Sequence, residues 1–168
     1  MNVIKKIKKG VLITIVNKFL KGTHFFTIKR VLLNQCEGIQ IGQGTKVVAP
    51  VYIPKQSIFH VGEKCWIGRG LTLEGNGEVY IGDNCDLGPE VSFITGSHEI
   101  GDADRRAGKG FNGIIRIASG VWIGAKTVIL PNIEVEKGTV VGAGAVVTKT
   151  LQDNGVYAGS PVKKIRDL

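Results

Sequence analysis

From Ile117 onward an aliphatic residue recurs at every sixth position: Ile117, Ile123, Ile129, Val135, Val141 and Val147. Four residues after each of the first five stands a small or β-branched side chain: Val121, Thr127, Ile133, Thr139 and Ala145. A helix repeats every 3.6 residues and a two-faced strand every 2, so a period of six fits neither. It fits a solenoid in which each hexad is one short strand plus a turn and the stacked coils share one core. The same rule runs earlier with shifts of phase, through Ile41, Val47, Ile53 and Phe59, then Val61, Ile67 and Leu73, then Ile81, Leu87 and Phe93. Glycine often follows the hexad residue directly, as at Gly42, Gly68, Gly82, Gly124 and Gly142. A tight corner there needs a positive φ or close backbone approach.

The period divides the chain into three parts. Residues 1–38 form a basic N-terminal segment. Within it, Ile4, Ile7, Val11, Ile15, Val16, Phe19 and Leu20 fall at roughly helical spacing with lysines between them, which predicts an amphipathic helix over 3–20, weakened at Gly10. Such a helix caps the open end of a solenoid, or rests as a basic interfacial helix on an anionic membrane face; one helix can serve both roles. Residues 39–149 carry the repeats, interrupted at 96–113 by GSHEIGDADRRAGKGFNG, a Gly- and charge-rich stretch with no hexad pattern that reads as a loop thrown out from one corner. Residues 150–168 drop the period.

Composition narrows the function classes. The chain has 168 residues, one domain's length with enough chain to bury a core. Its net charge of +8 is local: residues 1–30 hold Lys5, Lys6, Lys8, Lys9, Lys18, Lys21, Lys29 and Arg30 and no acid, and basic and acidic residues balance beyond them. That distribution, with no aromatic platform beside the cations, does not support general nucleic-acid binding. Cys65 and Cys85 occupy the small-residue slot of the hexad, and with Cys36 they make an odd number. They read as small buried hydrophobes rather than a metal site or disulfide, which fits a reducing compartment. No apolar run reaches membrane-spanning length and no small-residue cleavage site follows residues 11–16, so neither a transmembrane anchor nor a signal peptide is expected.

Chemistry belongs where the period breaks. Among three histidines, His24 is expected to pack beside Phe25 and Phe26, and His60 sits at a phase break, expected to be a corner. His98 lies in the excursion, next to Glu99 and near Asp102, Asp104, Arg105 and Arg106. A histidine on a loop held by a rigid scaffold is the best general-base candidate in the chain.

The run IGDNCDLGPEVSFITGSHEIGDADRRAGKG, then IASGVWIGAKTVILPNIEVEKGTVVGAGAVVTKT, then VYAGSPVKKIR resembles the hexapeptide-repeat acetyltransferases of left-handed β-helix fold. The solenoid, the His-bearing loop, the VWIGA and GAGAVVTK segments and the glycine-proline tail occur in that family's order over residues 39–168. The resemblance implies an all-β, left-handed parallel β-helix with a short N-terminal amphipathic helix and a protruding catalytic loop. It implies acetyl-CoA as co-substrate, no metal, and a homotrimer with active sites between subunits. His98 matches the family's base, which takes a proton from the acceptor hydroxyl. A backbone carbonyl, Glu99 or Asp86 could hold its other ring nitrogen. Ala125, Ala143, Thr148, Lys149, Lys163 and Arg166 match positions that bind CoA, with residues 150–168 completing that site. Trp122 matches a tryptophan that packs near the active-site loop. Each of these also has a plainer reading, as corner packing or solvated charge.

Two departures bear on the acceptor. The galactoside and maltose branch carries an Asn about thirty residues before the base, where this chain has Gly68 or a near neighbour. Asp104-Arg105-Arg106-Ala107-Gly108-Lys109 looks more like transferases of polysaccharide assembly, and its cations suit an acidic glycan or a diphosphate-linked precursor. The expected activity is therefore transfer of acetyl to a sugar hydroxyl of a cell-surface polysaccharide or its precursor. It would occur on the cytoplasmic side, where acetyl-CoA is available, with peripheral membrane contact through the N-terminal helix. The same scaffold serves small acceptors such as serine or an antibiotic. A γ-type carbonic anhydrase needs three converging histidines, and these three lack that family's spacing. A scaffold without catalysis has no use for the His loop and the CoA-like segments together.

Overall fold

The computed structural model describes residues 3–168. Three parallel sheets form the faces of a β-helix. The first face stacks Ile39–Ile41, Ile58–Val61, Glu78–Ile81, Ile114–Ile117 and Glu134–Val135. The second stacks Lys46–Val47, Trp66–Ile67, Asp86–Leu87, Trp122–Ile123, Val140–Val141 and Gly155–Ala158. The third stacks Val51–Tyr52, Leu71–Glu74, Ser92–Ile94, Val128–Ile129 and Val146–Val147. Every hexad aliphatic named above is buried in one continuous core, together with Val121, Thr127, Ile133, Thr139 and Ala145 from the second series. The phase shifts have a simple cause. Ile41, Val61 and Ile81 stack in register twenty residues apart, two more than three hexads. The extra pair lengthens the strands of the first face, so Phe59 and Val61 both point inward and His60 between them points out. His60 therefore lies mid-strand, edge-on to Tyr80 with ring centroids 5.3 Å apart, and not at a corner.

At the corners, the two demands on glycine separate. Directly after the hexad residue, the constraint is space. A Cβ on Gly68 would overlap the Gly88 carbonyl, and one on Gly88 would stand 2.6 Å from the Ala125 amide nitrogen. Positive φ falls two residues later, at Gly70, Glu90, Lys126 and Gly144 along the same corner, and two of those four positions carry side chains. At the corner between the first and second faces, three of the inner-slot side chains hydrogen-bond to backbone carbonyls. Thr45 Oγ1 donates to the Gly62 carbonyl at 2.6 Å, and Cys65 and Cys85 donate their thiols to the Gly82 and Ala118 carbonyls at 3.1 and 3.2 Å. The three cysteines are buried and free.

Two helices close the N-terminal end: α1 (Val3–Phe19) and α2 (Phe26–Asn34). Only the first was expected, and each buries a lysine. Lys9 is fully buried and donates to the Ser57 carbonyl at 2.8 Å; Lys29 is fully buried and donates to the Gly22 carbonyl at 2.7 Å. Burial holds both amines below the usual lysine range. In α2 the lysine points in while Ile28 and Val31 point out, which reverses the pattern a reader of periodicity looks for. The first coil leaves open strand edges, and asparagines occupy two of them. Asn17 exchanges hydrogen bonds of 2.7 and 2.9 Å with both backbone groups of Val51, and Asn34 does the same with Ile41 at 3.0 and 2.6 Å. The inner side of α1, with Leu12, Ile13 and Val16, packs on the core, as does Leu20 just after it; Val3, Ile4, Ile7 and Val11 stay exposed.

The excursion is ordered. Gly96–Ile100 and Ala107–Asn112 pair as an antiparallel hairpin leaving the corner after the third face, so its glycines and charges mark a two-stranded arm, not a loop. The tail likewise keeps structure. Gly155–Ala158 adds a rung to the second face, and Lys163–Asp167 folds back antiparallel against it. His24 is exposed, with its ring edge-on to Phe25 at 6.4 Å.

The corner geometry gives a direct test. Gly68→Ala should destabilise by about 1–3 kcal/mol, the usual cost of overpacking, measured by urea unfolding. Gly144→Ala, with open space around its Cβ position but φ +69, should cost less. Equal, negligible losses would contradict the close-approach account.

Candidate functional site

His98 stands on the first strand of the hairpin, opposite Gly110, and is exposed. A Cβ at Gly110 would make only ordinary contact with the imidazole, 3.6 Å from Cδ2 and Nε2. No hydrogen bond joins either ring nitrogen to another described residue, so Glu99, Asp86 and the nearby carbonyls do not orient the imidazole within one chain. Arg105 and Arg106 are at the exposed hairpin tip. The Asp102 carboxylate accepts from the amides of Asp104 and Arg105 at 3.1 and 3.0 Å, and Arg106 Nη1 donates to the Gly101 carbonyl at 3.3 Å. The tip is thus a compact turn on which Arg106 folds back while Arg105 stays exposed.

The cofactor candidates fall in three places. Ala125 and Ala143 lie on the corner between the second and third faces, following the glycines whose missing side chains let the coils touch. Ala125 is half-buried, and its carbonyl accepts from the Gly144 amide at 2.8 Å. Thr148 and Lys149 are exposed on the corner between the third and first faces, the edge from which the hairpin also departs. Lys163 and Arg166 are exposed on the final antiparallel strand. Beside them Lys164 is engaged by the Asp167 carboxylate, whose hydrogen bond raises its pKa, which leaves Lys163 and Arg166 as the freer cations. Within one chain, then, the third face separates Ala125 and Ala143 from Thr148 and Lys149.

The second face supplies what sequence reasoning missed. Its outward residues form one straight ladder by strand register: Lys46, Trp66, Asp86, Trp122, Val140, Val156 and Arg166. Trp122 is 58% exposed and Trp66 36% exposed, an unusual display for the two tryptophans of the chain. Trp122 is therefore not a packed corner residue. The signal was available for Lys46, Trp66, Asp86, Trp122 and Val140, because each immediately precedes a hexad aliphatic. The inward series drew the eye away from it. A cleft of about 390 Å³ on the first face, around Tyr80, Arg116 and Glu134, contains none of these residues.

Residues 115–149 match the family model described as bacterial transferase hexapeptide (six repeats). Those residues carry the hexapeptide repeat of that family. It is 34% identical over 128 residues to galactoside O-acetyltransferase of Escherichia coli K12, covering 76% of this chain and 63% of that protein. It is 33% identical over 111 residues to galactoside O-acetyltransferase of Lactococcus lactis, covering 64% of this chain and 54% of that protein. The chain therefore spans less than two thirds of the length of these relatives. Among solved structures, a galactoside acetyltransferase in complex with coenzyme A superposes with a TM-score of 0.83 at 28% identity, covering 97% of this chain and 80% of that one. A hexapeptide-repeat acetyltransferase of Vibrio cholerae complexed with acetyl coenzyme A has the same fold, at a TM-score of 0.84 and 23% identity over 98% of this chain and 87% of its own. Among the described residues, no cluster of three His, Cys, Asp or Glu is placed to hold a metal.

Proposed function

We propose that the chain is an acetyl-CoA-dependent O-acetyltransferase that acetylates a sugar hydroxyl of a cell-surface polysaccharide or its precursor. The observation that carries this reading is a rigid hairpin holding an exposed histidine on a β-helix whose second face ends in basic residues beside a side-chain-poor corner. The similarity to galactoside O-acetyltransferases supports it. The pantetheine arm lies along the Ala125 and Ala143 corner, where backbone amides and carbonyls are reachable. Lys149, Lys163 and Arg166 meet the nucleotide phosphates. His98 takes the proton of the acceptor hydroxyl as that oxygen attacks the thioester carbonyl. The tetrahedral adduct then collapses, the C–S bond breaks, and the imidazolium returns the proton to the departing thiolate. Atoms balance without a further reactant: one ester forms and one thiol is released. Trp122 supplies a wall near the reacting atoms.

The dispersal of these residues supports a site shared between subunits. One chain offers a wall and an arm, and a three-fold ring of copies lets the arm of one reach the wall of the next. A location on the cytoplasmic side of a membrane follows from the supply of acetyl-CoA. No helix among the described residues is long and apolar enough to cross a membrane. We infer instead that the outer side of α1, with Ile7 and Val11 exposed among lysines and no acid before residue 31, rests on an anionic bilayer surface.

Each part has its own measurement. With acceptors screened for acetyl transfer by mass spectrometry, His98→Ala should lower the rate by roughly 10²–10⁴, while the KM for acetyl-CoA stays near its original value. Retention of near-normal turnover would remove His98 as the base. Light scattering at assay concentration should give three chain masses, and a fully active monomer would sink the shared site. The purified protein should float with vesicles containing phosphatidylglycerol but not with phosphatidylcholine alone, and Val11→Glu should abolish flotation. Identical behaviour on both vesicles would exclude the electrostatic contact.

A further inference from the structure

The ladder on the second face does not stop at Trp66. Its next rung is Lys46, and there α2 packs alongside the sheet and makes an end wall. Phe26 of α2 sits edge-on to Trp66 with ring centroids 6.0 Å apart. Between helix and sheet opens a cleft of about 430 Å³, lined by Phe26, Arg30, Thr45 and Lys46 among others. Neither Arg30 nor Lys46 forms an ion pair with another described residue, whereas Lys5, Arg116, Lys126 and Lys164 each do. Lys46 is also drawn over the Phe26 ring, its Nζ 6.0 Å from the centroid. Two uncompensated cations beside an aromatic wall make a place for an anion carried on an apolar or ring-shaped body.

The rungs fix where that anion must be relative to the rest of a ligand. Neighbouring strands lie about 4.8 Å apart. Asp86, between the two tryptophans, repels a negative group and accepts hydrogen bonds from hydroxyls. Lys46 is two rungs away, roughly 10 Å. The ladder therefore reads, in order, an aromatic wall at Trp122, a hydroxyl acceptor at Asp86, a second aromatic surface at Trp66, and a cationic end at Lys46 and Arg30. Tryptophan faces and a carboxylate suit sugar rings, which present apolar C–H faces and hydroxyl edges. A monosaccharide would leave the cationic end unused.

We propose that this face binds an oligosaccharide segment of the acceptor, with a neutral sugar at Asp86 and an acidic substituent (carboxylate, sulfate or phosphate) of a neighbouring sugar in the Arg30 and Lys46 cleft. The proposal rests on the sugar acetyltransferase reading and deepens it, by naming the acceptor as an acidic oligosaccharide with its charge set apart from the acetylated residue. It also assigns the selection of that charge to α2 and the first coil, and not to Arg105 and Arg106 on the hairpin.

The test is a binding measurement made without acetyl-CoA, so that it fails separately from the catalytic reading. The probes are 3′-sialyllactose, which carries one carboxylate at one end, and lactose, which carries none. By calorimetry in low-salt buffer, the full chain should bind 3′-sialyllactose at least about tenfold more tightly than lactose, the weight of one charge-assisted contact. The double variant Arg30→Gln/Lys46→Gln should bind both sugars alike, with lactose affinity unchanged and the thermal melt preserved. Trp66→Ala should weaken both sugars together, and Lys137→Gln, on the exposed surface away from this ladder, should change neither. Equal affinity for the two sugars in the unaltered protein would overturn the proposal. So would a preference that survives the double variant, or an absence of 3′-sialyllactose binding at millimolar concentration. A separate titration of the unaltered protein with acetyl-CoA that shows no binding would count against the transferase reading alone.

Discussion

Everything in this molecule depends on how closely one coil can sit on the next. Parallel strands hydrogen-bond only at a fixed spacing, so the corners that join them must approach to the same distance. At Gly68, Gly88 and Gly124 the backbone of the neighbouring coil occupies the space a Cβ would need. With those corners satisfied, the inward residues fill one core and the outward residues stand in rows. The positive-φ position two residues later is a weaker demand, which Glu90 and Lys126 meet alongside the glycines.

How much could be read in advance follows from this. The hexad aliphatics were legible because a single-file core repeats its environment every six residues, and all of those named are buried. The coil length was not, because Ile41, Val61 and Ile81 recur after twenty residues, which blurs the period into shifts of phase and made His60 look like a corner. The hairpin hid for a different reason. Its strands pair only with each other and bury little, so no alternation marks them, and glycine and charge suggested a loop. Helix α2 hid behind Lys29, since an amine that donates to a backbone carbonyl inside the structure carries the same letter as one in solvent. Of the candidate site, His98 stood out by type and place. Trp66, Lys46 and Arg30 did not, because their relation exists only once strands separated by twenty residues become neighbours.

The cap joins two tasks that are usually separate. Asn17 and Asn34 each take both backbone groups of one first-coil residue, Val51 and Ile41, so the strand edges of the third and first faces are occupied at those points. The same helices set Phe26 and Arg30 against the end of the second face. Ending the solenoid and walling the groove are therefore one structural act, and the lysines buried in it bind the cap through backbone carbonyls without needing a carboxylate.

A ladder of this kind is a ruler with a fixed graduation. The separation between Trp122 and Lys46 is three rungs, and it can change only by a whole coil. A point substitution can alter what is felt at a given mark, but no substitution moves the mark. Reach along such a face is thus counted in integers, and a frame of this type adjusts the length of the molecule it measures by gaining or losing a turn of the chain.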